Sequence, residues 1–278
     1  MAVLEVDDVS IRFGGLQALA NVSVQVREWE IVGLIGPNGA GKTTLFNCVT
    51  GFYAPTEGRV RFLGADVTDV PIAERAASGM GRTFQQVGLV KGATVLENLV
   101  TAQHATAGYG PVAGVVGAPS ALRRDRLLRE RALEILDLVG LVHLADERVS
   151  GLPYGTMKNV EMAAVLATDP EILMLDEPSS GMGPEEAHRL GDTLLQLRKE
   201  LGLTILMIEH HVPLVVRVCD YVYCLNFGQL LTEGDPDSVR THPEVVTAYL
   251  GEEAEPEEQA AAETTTRRRE PLRAKGRD

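Results

Sequence analysis

The run Gly36-Pro37-Asn38-Gly39-Ala40-Gly41-Lys42-Thr43 constrains this chain more than any other feature, because it matches the G-x-x-x-x-G-K-[ST] pattern in full. Ahead of it, Glu30 to Ile35 is a compact apolar run of strand length, and behind it Lys42 to Thr50 has helical spacing. A strand, a glycine-rich loop and a helix in that order make a cradle for phosphate. Glycine lets the backbone close around phosphate oxygens, and the helix N-terminus offers N–H groups and the positive end of its dipole. Gly36, Pro37, Asn38, Gly39, Ala40, Gly41, Lys42, Thr43 and Thr44 are therefore the candidate nucleotide-binding segment. Lys42 brings a compact positive charge to the β- and γ-phosphates, and Thr43 stands where a hydroxyl ligates Mg²⁺.

A second signal makes the first specific. Ile172 to Leu175 reads as a buried strand that delivers two carboxylates, Asp176 and Glu177, to its C-terminal end, where ligands bind in α/β sheets. Asp176 is suited to hold Mg²⁺ and Glu177 to polarise an attacking water, the two tasks nucleotide hydrolysis requires. The strand-like run Leu203 to Ile208 follows a helical stretch from Pro184 to Leu201, which gives a βαβ rhythm and predicts a parallel sheet. Val3 to Val26 alternates apolar and polar residues around Gly14-Gly15 and predicts short strands in a small antiparallel sheet. Helical periodicity between Thr94 and Leu144, notably Leu122 to Val139, is interrupted by a Gly/Ala/Val-rich segment around Gly108 to Ala118. It predicts a mostly helical insertion, and the fold class is α/β.

Composition narrows the partners. A net charge of −13 argues against a surface that tracks nucleic-acid phosphates, which requires clustered Lys and Arg. No apolar run approaches the ~18 residues of a membrane span, and the polar start lacks a secretory pattern, so cytoplasmic residence is expected. Cys48, Cys219 and Cys224 share no metal or redox spacing and read as buried thiols. From Glu252 onward an acidic run gives way to Thr264 to Thr266 and then Arg267 to Arg269, which predicts a disordered charged tail over 252–278.

The order of these motifs resembles the ABC transporter ATPase family over nearly the whole chain, as far as about Gly251. The resemblance implies a P-loop ABC ATPase fold over 1–251, with a small antiparallel β subdomain and a helical subdomain inserted at about 86–168. It implies ATP and Mg²⁺ as ligands and adds further site residues. Phe13, ahead of the P-loop, matches the aromatic residue that stacks on adenine; on pattern alone it reads as a core aromatic. Gln85, in Thr83-Phe84-Gln85, matches the glutamine that reaches Mg²⁺ and the attacking water. His210 matches the switch histidine that contacts the γ-phosphate. The signature motif, usually L-S-G-G-Q, aligns with Leu152-Pro153-Tyr154-Gly155-Thr156 and departs from it. Gly155 and the following helix retain N–H groups for the nucleotide of an opposite subunit, but Pro153 has none to donate. Gly183 stands where the family places an interface aspartate.

Arg82-Thr83-Phe84-Gln85, Thr94 to Leu99 with Gln103-His104, the long insertion, the Tyr-Gly of the signature and the closing Ala248-Tyr249-Leu250-Gly251 look like the ATPases of branched-chain amino acid uptake systems. That subgroup implies a second ABC ATPase subunit, identical or different, and transmembrane permease subunits. It also implies a solute-binding protein that this chain does not touch, and a place on the inner face of the cell membrane. The expected function is ATP hydrolysis that powers import of branched-chain or related amino acids. The departures at Pro153 and Gly183 keep open a regulatory subunit that holds ATP with little hydrolysis, and an importer of another small solute is a further alternative. A soluble ABC protein of DNA repair or translation usually carries two cassettes or a long coiled-coil insertion, and this chain has neither.

Overall fold

The computed structural model describes residues 1–84, 87–104 and 119–249. Among the described residues ten strands form two sheets, one four-stranded in the order β2-β1-β4-β5 and one six-stranded in the order β10-β9-β3-β8-β7-β6. The smaller sheet opens the chain with β1 (Ala2–Phe13) and β2 (Leu16–Arg27), paired antiparallel, and is completed by β4 (Glu57–Phe62) and β5 (Ala65–Asp66). The first two strands are twelve residues each, longer than their broken alternation predicts. Register shifts on either side of Val9, with Asp8 at φ 49°, switch which side chains face inward without ending the pairing.

The larger sheet is parallel through β9 (Tyr221–Asn226), β3 (Ile31–Ile35), β8 (Thr204–Ile208), β7 (Ile172–Asp176) and β6 (Met80–Arg82), with β10 (Gln229–Gly234) antiparallel at one edge. Its central strands β3, β7 and β8 are buried along their full length, which is why they read as continuous apolar runs. Alternate residues feed two cores. Val32, Leu34, Met174, Leu206 and Ile208 pack toward the antiparallel sheet, while Ile31, Ile35, Leu173, Leu175 and Met207 pack toward the helices on the other face.

The phosphate loop leads from β3 into α1 (Lys42–Thr50), and α2 (Ile72–Ala77) precedes β6. Between β6 and β7 lie α3 (Val95–His104), α4 (Pro119–Leu138) and α5 (Tyr154–Leu166), which contact one another pairwise. Helix α6 (Pro184–Leu201) connects β7 to β8, α7 (Val212–Val218) connects β8 to β9, and α8 (Pro236–Arg240) follows β10. Residues 243–249 are helical and bring Tyr249 onto the helix-side core. Gln85 and the predicted tail over 252–278 lie outside the described residues.

The three cysteines are buried and unpaired, as expected, and burial pushes the thiols of Cys48 and Cys224 up to about 11. They are therefore neutral packing residues at ordinary pH. Among the described residues no helix is long and apolar enough to cross a membrane.

Candidate nucleotide site

The phosphate loop takes its shape from positions where a side chain has no room. At Gly36, φ is 144° and an added Cβ would lie 2.1 Å from the Leu225 carbonyl oxygen. Gly41, the residue before α1, has φ 100°, and a Cβ there would meet Leu19 at 2.8 Å. Both conformations are open to glycine and closed to larger residues. Helix α1 has neither a side-chain cap nor an acidic residue in its first turn, which leaves its positive dipole end uncompensated by a carboxylate. Lys42 is buried, and its Nζ donates to the carbonyl oxygens of Gly36 and Pro37.

A cleft of about 580 Å³ runs over this loop, bounded by Asn38 to Thr44 and by Phe13, Gln17, Glu177 and Phe227. Residues from the antiparallel sheet, the phosphate loop, the end of β7 and the β9–β10 turn thus share one opening. Phe13 is 45% exposed and meets Tyr53 edge to face at 5.0 Å. A surface aromatic at the mouth of the cleft leaves a ring face available for stacking, which fits the adenine-stacking expectation better than the core reading.

Asp176 and Glu177, adjacent in sequence, have opposite environments. Asp176 is 2% exposed; its Oδ2 accepts from Arg82 at 3.0 Å, while its Oδ1 is buried without a hydrogen-bond partner among the described residues. Burial raises the Asp176 carboxyl above its ordinary range, with the Arg82 hydrogen bond partly offsetting it. A buried carboxylate oxygen with no donor fits a hard cation, so Asp176 suits Mg²⁺, and Thr43 lies exposed in the cleft with a second oxygen. Arg82 is itself fixed by Asn47 and Thr50 of α1, each at 2.8 Å, so the end of β7 is tied directly to the phosphate-loop helix.

Glu177 adopts φ 50°, a left-handed conformation uncommon for a side chain with a Cβ. Three bonds hold it there: its N–H donates to Ile208 O at 3.0 Å, and its carbonyl accepts from Lys158 Nζ at 2.6 Å and from the Ser180 N–H at 3.1 Å. The turn aims the carboxylate into the cleft. His210 Nδ1 is 3.9 Å from Glu177 Oε1, and the imidazole is largely exposed, so the predicted histidine and glutamate do come together.

Several residues that build this geometry are not among the sequence-based candidates. Glu209 is fully buried; its Oε1 accepts from Ser179 N at 2.8 Å, and its Oε2 accepts from the N–H groups of His210 and His211 at 3.1 Å each. One carboxylate therefore fixes the turns that carry Glu177 and His210. On α5, Glu161 Oε1 accepts from Phe84 N at 3.4 Å and Gly88 N at 3.0 Å, on either side of the segment that contains Gln85. Lys158 and Glu161 lie three apart on one face of that helix, a spacing that could have marked them as a pair. Gly155 does not join the cleft. It sits in the first turn of α5 and lines a separate cavity with Met182 and Glu186.

The ABC transporter family model matches residues 19–180, and the branched-chain amino acid ATP-binding cassette transporter model matches residues 229–255. The chain is 44% identical to the high-affinity branched-chain amino acid transport ATP-binding protein LivG of Salmonella typhimurium, over 90% of this chain and 98% of that protein. Among solved structures, the ADP conformation of MJ1267, an ATP-binding cassette of an ABC transporter, superposes with a TM-score of 0.78 at 35% identity, covering 90% of this chain and 99% of that one. A dimeric post-hydrolysis state of the cassette MJ0796, bound to ADP and Pi, gives a TM-score of 0.70 at 26% identity, covering 84% and 98%. With a phosphate loop, a carboxylate pair at the end of β7 and a full-length match to these cassettes, the chain belongs to the ABC transporter family as one of its ATP-binding subunits.

Proposed function

We propose that this chain binds ATP with Mg²⁺ and hydrolyses it to drive import of branched-chain or related amino acids. The observation that carries the reading is a single cleft that gathers Phe13, Lys42, Thr43 and Glu177 from three separate segments. In this reading Phe13 stacks on adenine, and Gly36 to Thr44 wrap the phosphates. Lys42 leaves its two loop carbonyls to meet the β- and γ-phosphates. Thr43, Asp176 and Gln85 would hold Mg²⁺, which supplies charge neutralisation on the phosphate oxygens. Glu177 polarises the attacking water, and His210 contacts the γ-phosphate from the neighbouring turn. The name of the Salmonella relative and the match of residues 229–255 support the choice of solute class.

Gly155 lines a cavity separate from this chain's cleft, and the MJ0796 cassette is dimeric in its ADP and Pi state, which supports a two-subunit sandwich in which each signature helix serves the other's nucleotide. The partner is a second ABC ATPase, identical or different. Transmembrane permease subunits carry the solute, and a solute-binding protein belongs to the system without touching this chain. The subunit then works on the cytoplasmic face of the membrane as a peripheral component, with residues 1–251 as the ATPase domain and about 86–168 as its helical subdomain.

Replacing Glu177 by Gln keeps the side chain's shape and removes its basicity. With partner and permeases assembled, turnover should fall by ~10²-fold or more while ATP binding persists. A wild-type complex that hydrolyses ATP no faster than the Glu177→Gln complex would instead establish the nucleotide-holding subunit, the reading that Pro153 and Gly183 favour.

A further inference from the structure

The closing Ala248-Tyr249 segment has no part in the reading above, yet it reaches the phosphate loop. Tyr249 packs its ring against the helix-side core, and its hydroxyl accepts the Gly36 N–H at 2.9 Å across 213 positions of sequence. Gly36 is the first residue of the loop, at φ 144°, with the Leu225 carbonyl against its Cα. Its carbonyl in turn accepts from Lys42 Nζ. The far end of the loop is also gripped from the C-terminal third of the chain, where the Gly228 N–H donates to Ala40 O at 3.0 Å. The loop is thus anchored at both ends by segments beyond residue 220, and Tyr249 provides the anchor that is a side chain.

We infer that Tyr249 is a positioning residue for nucleotide binding: its hydroxyl fixes the conformation of Gly36 and so pre-organises the phosphate loop, making ATP affinity depend on docking of the C-terminal helix. This rests on the loop being the ATP site, as proposed above. Backbone N–H groups cradle phosphate well only when they already point at one centre, so freedom at the first residue is lost again on binding and lowers affinity. The bond also satisfies a donor where strand β3 has ended and the sheet no longer supplies an acceptor. The contact belongs to residues 229–255, the segment matched by the branched-chain subgroup model, so it gives that segment a role at the nucleotide rather than at the surface.

Tyr249→Phe in the full chain keeps the ring and removes only the hydroxyl. Amide exchange is read at Gly36 and, as an internal control in the middle of β3, at Gly33; ATP affinity is read by calorimetry with magnesium present. Exchange at Gly36 should quicken at least about tenfold with Gly33 unchanged, and the Kd for ATP should rise about five- to tenfold, the effect of one lost net hydrogen bond. An ATP Kd within twofold of wild type would reduce the contact to packing and overturn the inference. Equal acceleration at Gly33 and Gly36 would also overturn it, by showing a general loss of stability. Should the wild-type chain bind ATP no better than Lys42→Ala under the same conditions, the nucleotide reading itself fails and this one falls with it.

Discussion

The chemistry of the site depends on residues that hold other residues, and Glu209 is the clearest of them. Its carboxylate accepts three backbone N–H groups, from Ser179, His210 and His211, and no part of it lines the nucleotide cleft. Glu209→Gln replaces one acceptor oxygen by an NH₂ that can only donate, so at least one of the two turns loses its anchor. A charge-assisted hydrogen bond is worth ~1.5–3 kcal/mol, so misalignment of Glu177 and His210 should lower kcat by about tenfold or more. KM for ATP should move less than about twofold, because the phosphate loop is untouched. Steady-state ATPase measurements on the assembled complex separate the two parameters; a raised KM at unchanged kcat would show that Glu209 supports binding instead. Lys42, Thr43, Asp176 and Glu177 were legible in the sequence because their spacing is local and their chemistry repeats. The holding roles of Glu209, Arg82 and Lys158 were not, since each depends on at least one partner distant in sequence: Ser179 for Glu209, Asp176 for Arg82 and Glu177 for Lys158.

At the scale of elements, strands and helices whose apolar pattern is uninterrupted could be placed closely. Lys42 to Thr50 and Pro184 to Leu201 match α1 and α6 residue for residue, because glycine in the left-handed conformation bounds α1 at both ends, and proline starts α6. Strands β1 and β2 were expected to be short, since a bulge flips the alternation that a period-two reading relies on. The start of α5 was legible only as a departure. Pro153 caps it at φ −57°, ψ 152° with no side-chain hydrogen bond, a conformation that serine adopts equally well. Pro153→Ser adds a capping oxygen worth ~1 kcal/mol but gives up ~0.4–1 kcal/mol of proline rigidity. The two nearly cancel, so the thermal midpoint should shift by less than about 2 °C. In the proposed dimer the new hydroxyl and N–H would instead stand at the position where the family's signature meets the partner's γ-phosphate. ATPase activity at the partner's site should rise about tenfold or more for one added charge-assisted hydrogen bond, read in an assembled transporter whose other site carries Glu177→Gln. A rise in midpoint without a rise in turnover would confine Pro153 to helix capping.

For the whole molecule, the proposed dimer would set the two halves of the catalytic apparatus against different nucleotides. The phosphate loop and Glu177 open into this chain's cleft, whereas Gly155 lines a separate cavity with Met182 and Glu186. In a dimer with a different ATPase, this chain's loop then meets the partner's signature, and the partner's loop meets Leu152 to Thr156, where Pro153 cannot donate and Gly183 replaces the interface aspartate of the family pattern. Each charge-assisted bond missing from the γ-phosphate is worth ~1.5–3 kcal/mol, enough to slow that site by at least about tenfold. If the partner's signature is standard, hydrolysis should be dominated by the site built on this chain's own Lys42 and Glu177. Placing Glu→Gln in one subunit at a time within the assembled transporter tests this. Glu177→Gln here should remove most steady-state ATPase activity, and the matching change in the partner should remove little. The reverse pattern would assign the dominant site to the partner, and equal losses would mean that a proline in the signature loop is compensated by the N–H groups and dipole that α5 still presents.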